Sequence, residues 1–257
     1  MRIRRCRKSR VRYIPFPLTS LTICSIVAIH GLNPRSKKDD DHAWDTWRTP
    51  AGPQGRLWLR DDLPQFVPES RIFLYEYNST AVYGKDKSTF TDKANDLLEE
   101  MRIERYDVES RPVLLLGHSM GGLLIKQALI NAHNNPRYAP IKDSTTGLAF
   151  FATPHHGGDW MLVSLGGVVA KIATAVGFQK GDDVLETLKD GSIFSDIMQE
   201  HWRHQLLKYD IISFWGALDS VSRQNIAWTW LILIASYLRS SRGRARGLAY
   251  LATARTS

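Results

Sequence analysis

At 257 residues and 43% hydrophobic, the chain is long enough for one large α/β domain or two small ones, can bury a sizeable core, and does not have a disordered composition. Its formal net charge of +8 is segregated: residues 1–12 hold seven basic groups and no acid, residues 222–257 hold six arginines and no acid, and the 13–221 body is left at −5, the total less the +13 of the two ends. A nucleic-acid binder wants a basic face on the folded body, so this distribution argues against nucleic acid and toward targeting or an anionic membrane surface met by the tails.

The first twenty residues read as a basic extension. Their arginines followed by the apolar run Leu21–Ile29 resemble a signal or transit peptide. That run leads into His30-Gly31, the expected end of a core strand, so a cleaved peptide would take only about the first fifteen residues. Five apolar runs ending in turn residues are expected as strands: Ser25–Ile29, Arg71–Tyr77, Pro112–Leu116, Gly147–Ala152 and Tyr209–Trp215. Runs this apolar suit strands buried on both faces of a parallel sheet. Between them, Thr91–Tyr106 predicts a helix with Thr89 or Thr91 as N-cap and Ala94, Leu97, Leu98 and Met101 on one face. Met120–His133 predicts a second helix, and Val184–Leu188 and Ile193–Leu207 further ones. The alternation predicts an open, mostly parallel central sheet flanked by helices with right-handed crossovers. The two cysteines, Cys6 and Cys24, form neither a disulfide framework nor a metal-ligand spacing, and no cofactor or metal is called for. No apolar run reaches the ~20 residues that span a bilayer, Ile226–Leu238 being the longest candidate.

Gly117-His118-Ser119-Met120-Gly121-Gly122 matches G-x-S-x-G between a buried strand and an amphipathic helix. In that context the serine occupies a sharp strand-to-helix turn with strained backbone, its hydroxyl exposed. Gly117 and Gly121 let strand and helix approach, and the helix N-terminus faces a developing oxyanion. Ser119 is therefore the candidate nucleophile. In acyl-transfer enzymes of this architecture an early strand ends in a turn that donates one backbone N–H to the oxyanion. Ile29-His30-Gly31-Leu32-Asn33 fits, which assigns the two donors to Leu32 and Met120. His30 is expected to hold the loop by hydrogen bonds.

Val27-Ala28-Ile29-His30-Gly31-Leu32, Gly117–Gly122 and Ala152-Thr153-Pro154-His155-His156-Gly157, in this order, resemble the serine esterases related to serine active site-containing protein 1, of fungal type, and are similar to GPI inositol-deacylase and bacterial lipases. The resemblance covers about residues 25–221. It implies an α/β-hydrolase fold, ester hydrolysis or acyl transfer on a lipid or small ester, and frequent association with mitochondria, the endoplasmic reticulum or other membranes. It implies a carboxylate after a late strand: Asp219 fits best, with Asp159 the runner-up.

The triad histidine should follow one more strand after Asp219, in the order Ser, Asp, His. None occurs from 220 to 257, the last histidine being His204. The reading is thus a 1–20 basic extension, a 21–221 hydrolase domain lacking the last strand and histidine loop, and an atypical 222–257 tail that is not the family's C-terminus. Residues 157–207 are a lid or a packed crossover. A serine without its base is a poor nucleophile, so the alternative to a serine ester hydrolase is a non-catalytic binding or scaffold module of the same fold. His155 and His156 are the candidate substitute bases, His118 should point elsewhere, and His201 and His204 belong to a helix surface. The expected compartment is intracellular, at a mitochondrial or endoplasmic-reticulum membrane.

Overall fold

The computed structural model describes residues 9–13, 24–31, 33, 39–49, 54–68, 70–79, 87–153 and 202–214. In chain order these form β1 (Ser9–Tyr13), β2 (Cys24–Ile29), α1 (Asp39–Thr46), β3 (Arg48–Thr49), β4 (Arg56–Leu57), α2 (Trp58–Asp61), α3 (Leu63–Phe66), β5 (Ser70–Tyr77), α4 (Lys87–Glu104), β6 (Val113–His118), α5 (Met120–Asn134), α6 (Ala139–Ser144), β7 (Thr145–Phe151) and β8 (Asp210–Phe214). The main sheet has the order β1-β5-β2-β6-β7-β8, parallel throughout except for β1, and β3 and β4 make a separate short hairpin.

β2 is buried along its whole length, and β6 along all but its last residue, His118, because both faces are covered. Alternation sends Val27, Ile29, Val113 and Leu115 into one core with Leu97, Leu98 and Met101 of α4 and Leu123 and Leu124 of α5. The other parity, Ile26, Ala28, Leu114 and Leu116, packs with Trp47, Leu57, Trp58 and Leu63 on the opposite face. All five expected strands form, within two residues at each end, and the four inward residues expected on α4 are buried.

Three expectations change. α4 begins at Lys87, so Thr89 and Thr91, expected as its N-cap, lie inside the helix. Residues 9–13, read as part of the basic extension, form the antiparallel edge strand β1 against β5. Val11 is buried in the core, while Arg12 from the other parity reaches the buried Glu76 at 2.6 Å. The arginines hid this alternation, because here one of them has a carboxylate partner across the strand pair. The described part of the expected 193–207 helix is turn at 202–205 and a short 3-10 segment at Leu206–Lys208. Trp202 is buried and stacks on Tyr209 at 6.1 Å, so the aromatic pair, not a helical face, fixes this segment. His204 is exposed there. The remainder of 157–207, with its lid or crossover reading, and the 222–257 tail lie outside the described residues. Among the described residues no helix is long and apolar enough to cross a membrane.

Candidate active site

β2, β6 and β7 lie side by side, so their C-terminal ends converge on one rim of the sheet. β6 ends at His118, Ser119 turns the chain, and α5 starts at Met120. Ser119 has φ 52° and ψ −123°, a left-handed conformation that costs a non-glycine residue about 1–3 kcal/mol. The strain persists because its surroundings over-determine it. The Ser119 N–H donates to the Phe151 carbonyl at the end of β7 (2.8 Å), and the Gly122 N–H donates to the Ser119 carbonyl (3.1 Å). Its hydroxyl does not cap α5, although serine is a favoured N-cap, so the Oγ is left for other work.

The glycines show how tightly the turn is closed. A Cβ on Gly117 would lie 2.6 Å from the Gly122 Cα, so β6 crosses α5 where the strand cannot carry a side chain. A Cβ on Gly121 would run into the Ile29 and His30 carbonyl oxygens, so the first turn of α5 rests on the end of β2. A Cβ on Gly31 would lie 2.8 Å from the Ser119 Cβ and 3.3 Å from its Oγ. The loop after β2 is therefore directly against Ser119, with only a hydrogen where another residue would carry a side chain.

His30 anchors that loop. Its Nδ1 lies 2.9 Å from the Gly31 carbonyl oxygen, which can only accept, so Nδ1 carries the proton. The ring stacks on Tyr77 at 4.4 Å and meets His42 edge-on at 5.1 Å. Tyr77 at the end of β5 donates its hydroxyl to the His30 carbonyl at 2.9 Å. Burial first, and then the neighbouring His42 charge, push the His30 imidazole down to about 3, so it is neutral. This is the structural role expected of His30. Tyr77 and His42 were not singled out from the sequence, since only the fold brings them to it.

His118, next to Ser119, points its ring toward Trp47 (6.5 Å, edge-on), and burial lowers it to about 4. Trp47, Trp58 and Phe214 surround Phe151, with ring centroids 4.9–6.4 Å from it. Ala152, directly after β7, is the other described non-glycine residue with positive φ, at 48°, and its N–H is held by the Phe214 carbonyl. Both strained residues thus sit at the ends of neighbouring strands. Met120 is buried at the first position of α5. Leu32, Asp219, Asp159, His155, His156 and His201 lie outside the described residues. Among the described residues, no His, Cys, Asp and Glu group has the makings of a metal site.

A mostly parallel sheet with an antiparallel edge strand and helices on both faces has known counterparts. The crystal structure of the Bacillus licheniformis lipase BlEst2 superposes with a TM-score of 0.52 at 21% identity, over 88% of this chain and 80% of that one. The chain has the α/β-hydrolase fold. By sequence it is 33% identical to human Protein SERAC1 over 107 residues and 31% identical to the Danio rerio protein over 105 residues, about 40% of this chain in each case. The chain spans about 15% of the length of these curated relatives. No family model matches it. It is a partial homologue of SERAC1 with a lipase-like relationship in fold.

Proposed function

We propose that this domain is a serine ester hydrolase acting on a lipid or small carboxylic ester, with Ser119 as nucleophile. The observation that supports this reading best is the Ser119 turn: a strained, uncapped serine pinned between β6, β7 and the β2 loop. In this reaction the Ser119 Oγ attacks the ester carbonyl carbon and its proton passes to a base. The carbonyl oxygen becomes an oxyanion received by the Met120 and Leu32 backbone N–H groups, which contribute several kcal/mol to the transition state. The alcohol then leaves with a proton, and water releases the acyl group from Ser119. Asp219 would orient and charge-balance the base.

The base is the open member. Among the described residues no histidine bonds the Ser119 hydroxyl, and His30 and His118 are neutral and turned to other partners. This favours a second reading, an α/β-hydrolase-like binding module whose site holds an ester without turning it over. Labelling of the purified chain by a fluorophosphonate probe, with Ser119→Ala as control, separates the two. Labelling lost in the variant supports the hydrolase and directs attention to His155 and His156. A folded protein that never labels supports the binding module. Membrane association through the basic ends is a further part of the proposal, and flotation with liposomes tests it; equal flotation with and without residues 222–257 would remove that tail from the account.

A further inference from the structure

The arginine-rich N-terminus reaches the Ser119 site through one buried carboxylate. In β1, Val11 joins the core that α4 covers, and the opposite parity turns Arg12 to the face where α1 packs on β5. There Arg12 Nε donates to Glu76 Oε2 at 2.6 Å, and the indole Nε1 of Trp44, on α1, donates to Glu76 Oε1 at 2.9 Å. Glu76 is buried. A buried carboxylate is costly without a cation, and hydrogen bonds to ionised groups are the strong ones. One side chain of β5 thus ties β1 to α1.

α1 needs such ties. It has eight residues, four of them aspartate, and a helix this short does not stand alone in water, so its tertiary contacts hold it. Ala43 is buried, and Trp44 reaches Glu76. α1 in turn backs the loop after β2. Its His42 meets the His30 ring edge-on at 5.1 Å, while Tyr77 stacks on that ring from β5. His30 holds the Gly31 carbonyl through Nδ1, and Gly31 lies against the Ser119 Cβ and Oγ. Each step from Arg12 to Ser119 is therefore a contact between named groups, and the first is made by a strand at the edge of the sheet. A peptide cut at about residue fifteen would carry that step away.

We propose that β1 is a clip on the Ser119 site: its pairing on β5 fixes α1 through Arg12, Glu76 and Trp44, and α1 holds the loop that carries Gly31. The clip stands whether or not Ser119 turns over. The test is hydrogen–deuterium exchange of the full chain, read by mass spectrometry near neutral pH. Arg12→Gln raises exchange over 39–46 by about ten- to a hundredfold, the loss expected when a hydrogen bond between charged groups is removed. Exchange over 28–33 rises with it, and 113–134 stays as in the wild type. A rise confined to 9–13, or one as large over 113–134, overturns the clip. Trp44→Phe cuts the same path one step later, so 39–46 and 28–33 exchange faster while 9–13 stays protected; unchanged exchange over 39–46 overturns the tie through the indole. Joining Glu76→Gln to Arg12→Gln removes the unpaired buried charge and leaves Trp44 an amide oxygen to bond. Exchange over 39–46 then returns most of the way to the wild-type rate, and no recovery overturns the route through Glu76.

Discussion

Adding one methyl group to the elbow distinguishes two of its three glycines. Gly121 and Gly122 are adjacent in the first turn of α5, and replacing a helical glycine by alanine is worth up to about 1 kcal/mol of helix propensity. Against that stands what the new Cβ meets. At Gly121 it runs into the Ile29 and His30 carbonyl oxygens, backbone of a strand buried on both faces, and nothing there can rotate away. Overpacking costs about 1–3 kcal/mol, and an immovable neighbour places Gly121→Ala at the upper end, so the net loss is about 2 kcal/mol. For a domain of this size that lowers the melting temperature by about 4–8 °C. At Gly122 the Cβ meets the Thr153 side chain and the Phe150 ring edge, 2.9 Å away. Thr153 can be shortened, so Gly122→Ala should be substantially rescued by Thr153→Ala, whereas Gly121→Ala should gain nothing from it. The assay is thermal and urea unfolding of the four variants, with fluorophosphonate labelling as a readout of the position of Ser119. A Gly121→Ala protein as stable as wild type, or rescued by Thr153→Ala as well as the Gly122 variant is, would refute the close approach of α5 to the end of β2.

Ser119→Gly removes the positive-φ strain; after subtracting about 0.5–1 kcal/mol for glycine's greater chain entropy it should raise stability by about 1 kcal/mol while abolishing labelling, and a lower melting temperature would count against the strain. Tyr77→Phe keeps the stack on His30 but takes the donor from a buried carbonyl, so a loss of about 1–3 kcal/mol is expected in urea unfolding; a loss below about 0.5 kcal/mol would mean that the bond contributes little. Stability should also fall on acidification from pH 7. His30 and His118 stay neutral in the fold down to about 3 and 4, while in the unfolded chain they protonate near 6.5, so the unfolded state binds more protons below that pH. Their contribution is complete above about pH 6.5 and declines as pH falls toward their folded values. Glu99, held at about 2 first by its bond from Arg102, adds its own loss only below about pH 4.3. Urea midpoints at pH 7.5 and pH 5 read the histidine window; His118→Gln should flatten it, and an unchanged slope would remove His118 from the account.

What was legible from the sequence was local. A run such as Val113–Leu116 is apolar at every position because both faces of its strand are covered, and that signal needs no partner to be named. The elbow was equally legible, because strand, G-x-S-x-G and helix follow one another without a break. The arginine-rich Ser9–Tyr13 strand was not, since the partner that gives Arg12 its place, Glu76, is 64 residues away. The same holds for the Tyr77 hydroxyl on the His30 carbonyl, 47 residues apart, and for the Phe151 carbonyl that holds the Ser119 N–H. Composition and periodicity report how each segment meets water and core, so they settled the elements and the strand-turn-helix around Ser119. Which strand ends touch and which carbonyl receives which donor depend on contacts between segments remote along the chain, and only the closed sheet decided them.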